Sequence, residues 1–151
     1  DRVLNDGVYL ISSKISPKSA LCVKNQSLAE NTKLINESLL YSADQFFIFK
    51  YNEENDYYTI IALHSHQTIG VQKKYDSNYS NSNIIQLNAS NDKLFQWEVQ
   101  LYDNKYYTLK LKNTDYMFEY NKKNDQPILN PKNDNDNQLF IIKPYIIIFT
   151  I

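Results

Sequence analysis

The sequence predicts an all-β domain of twelve short strands, one four-stranded unit repeated three times about a common axis. Two observations carry this prediction. A strand-like segment recurs as Gly7-Val8-Tyr9-Leu10-Ile11, Tyr57-Tyr58-Thr59-Ile60-Ile61 and Tyr106-Tyr107-Thr108-Leu109-Lys110-Leu111, so that Tyr9, Tyr58 and Tyr107 lie 49 residues apart. The composition agrees: Tyr 13, Phe 7 and abundant isoleucine favour strands, because branched and aromatic side chains fit a pleated, half-buried surface.

Each element can be followed in order. After the tyrosine strand comes a short apolar run, Leu21-Cys22-Val23, Ile69-Gly70-Val71 and Met117-Phe118. A third run follows as Leu34-Ile35-Asn36, Gln86-Leu87-Asn88 and Ile128-Leu129-Asn130. The fourth closes each unit: Gln45-Phe46-Phe47-Ile48-Phe49, Phe95-Gln96-Trp97-Glu98-Val99 and Gln138-Leu139-Phe140-Ile141-Ile142. Period-2 alternation is clearest in the third unit, where Tyr107, Leu109 and Leu111 share one face and Thr108, Lys110 and Lys112 the other. Asn and Asp crowd the turns and tolerate left-handed backbone, which replaces glycine in a chain with only Gly 2. No linker divides the chain, so residues 1–144 read as one domain with repeats at about 7–52, 56–103 and 105–144. Residues 145–151 read as an apolar added strand or the stump of a longer protein. Hairpins leave open edges, and a threefold repeat removes them by closing into a barrel capped by three further hairpins, a β-trefoil. Tyr9, Tyr58 and Tyr107 with Phe47, Trp97 and Phe140 are then the expected core rings.

Composition excludes several functions. Lys+Arg 16 against Asp+Glu 17, dispersed along the chain, gives no basic field for nucleic acid or anionic lipid. The run Tyr145 to Ile151 is far too short to span a bilayer. Cys22 reads as a small apolar filler in a strand. His64-Ser65-His66 places two imidazoles on one face, but no third ligand has sensible spacing, so neither metal nor cofactor is expected. Glu53, Glu54 and Asp56 read as solvated turn carboxylates, and no catalytic set stands out; the chain is not expected to be an enzyme. Asn-x-Ser triplets at Asn25, Asn36, Asn78 and Asn88 suit a secreted protein, although asparagine and serine are common enough here to produce them by chance. Tyr75, Tyr79 and Tyr102 border polar loops that read either as plain excursions or as adaptable recognition surfaces.

Gln45-Phe46-Phe47 and Gln138-Leu139-Phe140 resemble the Gln-x-Trp signature that ends each repeat of the ricin-B-type lectins, with phenylalanine for tryptophan; Trp97 keeps the tryptophan but has Phe95 in the glutamine place. The resemblance implies a shallow sugar pocket on each repeat: an aspartate after the second strand, a stacking aromatic at the end of the third, and an Asn-Gln pair before the closing ring. The aspartate position aligns with Lys24, Gln72 and Glu119, the stacking position with Asn36, Asn88 and Asn130, and the pair with Asp44-Gln45, Leu94-Phe95 and Asn137-Gln138. The third repeat is thus the expected site, with Glu119, Asn130, Asn137 and Gln138 as its polar set and Tyr120 as a replacement plate. Gln45 and Gln138 also read as hydrogen-bonding within the fold, and the recurrent asparagines as turn chemistry. Two readings follow. One is a secreted, non-catalytic module that binds glycans or glycoproteins weakly; the other is a trefoil that has lost sugar binding and recognises a protein partner.

Overall fold

The computed structural model describes residues 2–89 and 92–145 of the chain. The first repeat contributes strands β1 (Gly7–Ser13), β2 (Ser19–Val23), β3 (Leu34–Ser38) and β4 (Phe47–Asn52). The second contributes β5 (Tyr57–Ala62), β6 (Thr68–Val71), β7 (Ser82–Leu87) and β8 (Trp97–Tyr102), and the third β9 (Tyr106–Leu111), β10 (Tyr116–Asn121), β11 (Gln126–Pro131) and β12 (Phe140–Pro144). Each closing glutamine or its counterpart Phe95 ends a single 3₁₀ turn just before the last strand: Ala43–Gln45, Lys93–Phe95 and Asp136–Gln138. The closing strands therefore begin at the large ring, later than the sequence pattern implies. In the second repeat the third strand ends at Leu87, so Asn88 lies beyond it.

The first and last strands of each repeat form a closed ring of antiparallel pairs, β1-β4-β5-β8-β9-β12 and back to β1. Hairpins β2–β3, β6–β7 and β10–β11 cap it. This is the twelve-stranded β-trefoil with pseudo-threefold symmetry that the repeats predict. The equivalence reaches single residues: Tyr9 sits opposite Phe47, Tyr58 opposite Trp97, and Tyr107 opposite Phe140. Phe47, Tyr58, Trp97, Phe118 and Phe140 are sealed from solvent, with Trp97 edge-on to Phe118 at 4.6 Å and Phe118 edge-on to Phe140 at 6.0 Å. Each such ring removes roughly 150–250 Å² from water, several kcal/mol at about 25 cal/mol/Å². The Trp97 indole N–H, which would be costly to bury unpaired, donates to the Ile69 carbonyl at 2.9 Å.

Tyr107 departs from the pattern, being only half-buried. The cause is the segment before β1. Val3 N and Leu4 N donate to Tyr58 Oη, which donates back to the Leu4 carbonyl, and Tyr9 Oη donates to the Asn5 carbonyl. That segment lies over two of the three tyrosines.

At the capped end the repeats interlock. Asn36 N donates to the Asp125 carbonyl, Gln86 N to the Thr32 carbonyl, and Asn81 N to the Leu129 carbonyl, so the hairpin loop of each repeat is tied to the third strand of the next. Turn chemistry follows the sequence. Asn25, Asn31, Asp56, Asn81, Asp103, Asn104, Asn113, Asp125 and Asp134 take positive φ, and neither glycine does. Of the apolar tail, Tyr145 donates its N–H to the Val8 carbonyl and rests its ring on Phe46; residues 146–151 lie outside the described residues. No helix among the described residues is long and apolar enough to cross a membrane.

Candidate functional site

Cross-strand register identifies the equivalent outward position on each cap hairpin. Cys22 faces Ile35, Gly70 faces Ile85 and Glu119 faces Ile128, and in every repeat the strand that carries this residue packs against the 3₁₀ turn before the closing strand. The counterparts of Glu119 are therefore Cys22 and Gly70, which corrects the alignment with Lys24 and Gln72. By the same register Asn130 matches Glu37 and Leu87, whereas Asn36 matches Gln86 and Leu129, positions turned toward the pseudo-threefold axis. The asparagines at 36, 88 and 130 are not equivalent, and Asn36, buried inside β3, is no glycan acceptor in the folded chain.

In the third repeat the polar cup is well formed. Glu119 is mostly buried, and its carboxylate is held by amides: Asn130 Nδ2 donates to Oε2 at 2.6 Å, while Asn133 Nδ2 and Gln138 Nε2 donate to Oε1 at 2.9 and 3.1 Å. No cation pairs with Glu119 among the described residues, so charge-assisted hydrogen bonds carry its desolvation. Gln138 also clamps the returning loop, donating to the Pro131 carbonyl at 2.9 Å and accepting from Asn133 N at 3.0 Å. Gln45 does the same in the first repeat with the Ser38 carbonyl and Leu40 N. The closing glutamine is thus structural in both repeats, and in the third it reaches Glu119 as well. Asn137 accepts from Asn133 at 3.3 Å, and among the described residues its own amide N–H groups have no acceptor.

The structure brings Glu119, Asn130, Asn137 and Gln138 together, and adds Asn133. Sequence reasoning missed Asn133, although it stands where Leu40 stands relative to the closing glutamine. Tyr120 does not join them. As the next residue along β10 it points to the opposite face, its ring buried in the core and its hydroxyl donating to Asp125 Oδ1 at 2.5 Å. Burial and that carboxylate push the Tyr120 hydroxyl up to about 12.

The other two cups differ. In the second repeat a Cβ on Gly70 would lie 2.1 Å from the Phe95 ring, so phenylalanine occupies the space of the missing side chain and no polar cup remains. In the first, Cys22 is fully buried, and burial followed by the charges of Glu37 and Asp44 holds its thiol well above the ordinary range. His64 Nε2 lies 2.8 Å from the Ser27 carbonyl, committed to the hairpin loop of the first repeat.

Two surface features flank the third cup. A cleft of about 260 Å³ runs between the β8–β9 hairpin and the loop after β11, with Tyr102, Lys110, Met117, Lys132 and Gln138 among its walls. On the other side, the loop before β7 is pinned by side-chain turns, Asp76 accepting from Asn78 N and Asn78 from Ser80 N. Its Asn81 N donates to Asn130 Oδ1, and its Tyr79 stands edge-on to Tyr116 at 5.9 Å. Tyr75 is fully exposed at its tip.

The profile of the family described as ricin-type beta-trefoil lectin domain-like matches residues 43–130, more than half of the chain. This chain belongs to that family. No curated protein sequence gives a significant match. Among solved structures, the designed threefold-symmetric protein ThreeFoil superposes with a TM-score of 0.82 at 22% identity, covering 93% of this chain and 100% of its own. The Rhizoctonia solani agglutinin gives 0.81 at 14% identity over 96% and 99% of the two chains. The Macrolepiota procera ricin B-like lectin, solved with lactose, gives 0.77 at 12% identity over 96% and 100%. At these identities the likeness speaks for the fold. The lectin kinship rests on the family profile, and both agree with the all-β repeat.

Proposed function

We propose that this trefoil is a secreted, non-catalytic carbohydrate-binding module whose sugar site is the third repeat. The observation that carries the reading is the amide-held Glu119. A carboxylate offers about four lone-pair sites; three amide donors fill three of them, leaving one oriented acceptor position on a residue that keeps 8% of its surface exposed. Asn137 supplies amide donors that no acceptor among the described residues takes up. Sugar hydroxyls need such fixed acceptors and donors next to apolar surface, and the neighbouring cleft offers Met117, Leu101 and the exposed Tyr102. With Tyr120 turned inward, no aromatic plate among the described residues is recorded against Glu119, so binding is weak. That the lectin from Macrolepiota procera binds lactose makes galactose-type sugars the first to test. A glycan array should show weak, selective binding that Glu119→Ala abolishes in a galactose titration; silence from the unmutated domain ends the lectin reading.

A second reading, recognition of a protein, draws on Tyr75, a fully exposed ring on a loop with built turns. It predicts glycan silence together with a photo-crosslink from position 75 to one defined partner.

A further inference from the structure

The three cap hairpins offer one cup in three chemical states. The second is filled by the Phe95 ring. The third holds a carboxylate matched by three amide donors. The first exchanges amides for carboxylates: where the third repeat has Glu119, Asn130 and Asn137, the first has Cys22, Glu37 and Asp44. Leu40 stands where Asn133 supplies an amide, and Gln45 spends its amide on the Ser38 carbonyl. Among the described residues one group answers these carboxylates, the Cys22 thiol, which donates to Glu37 Oε2.

Asp44 makes the deficit concrete. It is 4% exposed, and its Oδ1 is sealed from solvent without a hydrogen-bond partner. A buried carboxylate oxygen with no donor is strongly unfavourable unless something positive or donating reaches it. The Cys22 Sγ and one oxygen each from Glu37 and Asp44 lie within 4.8 Å of one another, and Glu37 is exposed, so the group opens to solvent on one side. Cys22 Sγ stands 3.6 Å from Glu37 Oε2. Ligands on a tetrahedral cation with bonds of about 2.0–2.3 Å are separated by about that distance.

We propose that Cys22, Glu37 and Asp44 bind a divalent cation of the thiophilic, zinc-like class, with water in the fourth position. One sulfur among oxygen ligands favours such a cation over calcium or magnesium, which take oxygen ligands. Binding displaces the thiol proton to solvent and gives the sealed Asp44 carboxylate its missing partner. This revises the reading of Cys22 as filler alone, and it stands apart from the sugar site, since no residue is shared with the third cup.

The test uses the whole domain, kept reduced. Titration with Co²⁺ as spectroscopic probe should give a one-to-one thiolate-to-cobalt charge-transfer band that Zn²⁺ removes, and Zn²⁺ alone should raise the melting temperature. Asp44→Asn, isosteric and relieved of the buried charge, should fold with circular dichroism unchanged and lose affinity at least about tenfold. Cys22→Ser should lose the charge-transfer band, while Glu119→Gln should keep it. Absence of the band in the folded unmutated domain, or binding that survives Asp44→Asn, overturns the proposal. Glycan binding is read on the array independently, so failure of one assignment leaves the other standing.

Discussion

The second and third repeats share a backbone and differ in how they fill the same cup. In one, Gly70 and Phe95 make it dry and packed; in the other, Glu119 and Gln138 make it polar and hydrogen-bonded. The glycine and the aromatic are one device, since the ring fits only where position 70 has no side chain, and the glutamate and glutamine are another. A trefoil can therefore switch off one cup by a paired change while leaving the wall and the closing ring intact.

Exchanging one member of a pair should produce the largest effect. Gly70→Glu forces a side chain into the Phe95 ring and buries an uncompensated charge, which should destabilise the domain by about 3–5 kcal/mol in urea unfolding. Adding Phe95→Gln recreates the arrangement of the third repeat and should restore much of that loss; two independent, additive penalties would refute the pairing. Next in size, Gln138→Ala leaves Asn133 N and the Pro131 carbonyl unclamped and strips one donor from Glu119, at a cost of roughly 1–3 kcal/mol. Gln45→Ala removes the same loop clamp without touching a carboxylate and should cost less; equal losses would mean that the Glu119 contact adds nothing.

The smallest effect is a pH dependence. The Tyr120 hydroxyl is raised from 10.0 to about 12 in the folded chain, so folding favours its protonated form. The associated stability is complete below about pH 10 and drains away as the pH climbs toward about 12. Tyr120→Phe should cost on the order of 1 kcal/mol near neutrality and flatten the decline of melting temperature across that alkaline window. An unchanged slope would mean that the Tyr120 hydroxyl gains nothing from its burial and its bond to Asp125.

Much of this was legible in the chain. The 49-residue spacing gave the three repeats, and the rings that open and close each unit meet pairwise as expected. The details of the cup were harder to read. Which residue of the second strand faces it depends on a cross-strand partner, Ile35, Ile85 or Ile128, and a single sequence does not state register. Alignment by apolar runs therefore slipped by two residues in the first two repeats. Tyr120 was a different matter: alternation along a strand already requires it to turn away from its neighbour Glu119. The half-exposure of Tyr107 was hidden because the covering segment, residues 3–5, carries no repeat signal.

The pairing of β1 with β12 has a further meaning. The first and last strands are zipped together, so no hairpin is privileged as the place where synthesis starts. A permuted gene opened at the Asp103-Asn104 turn, with a short bridge joining the old ends, should encode the same trefoil. A lone repeat should not fold, because its wall partners and the strand that receives its loop belong to its neighbours.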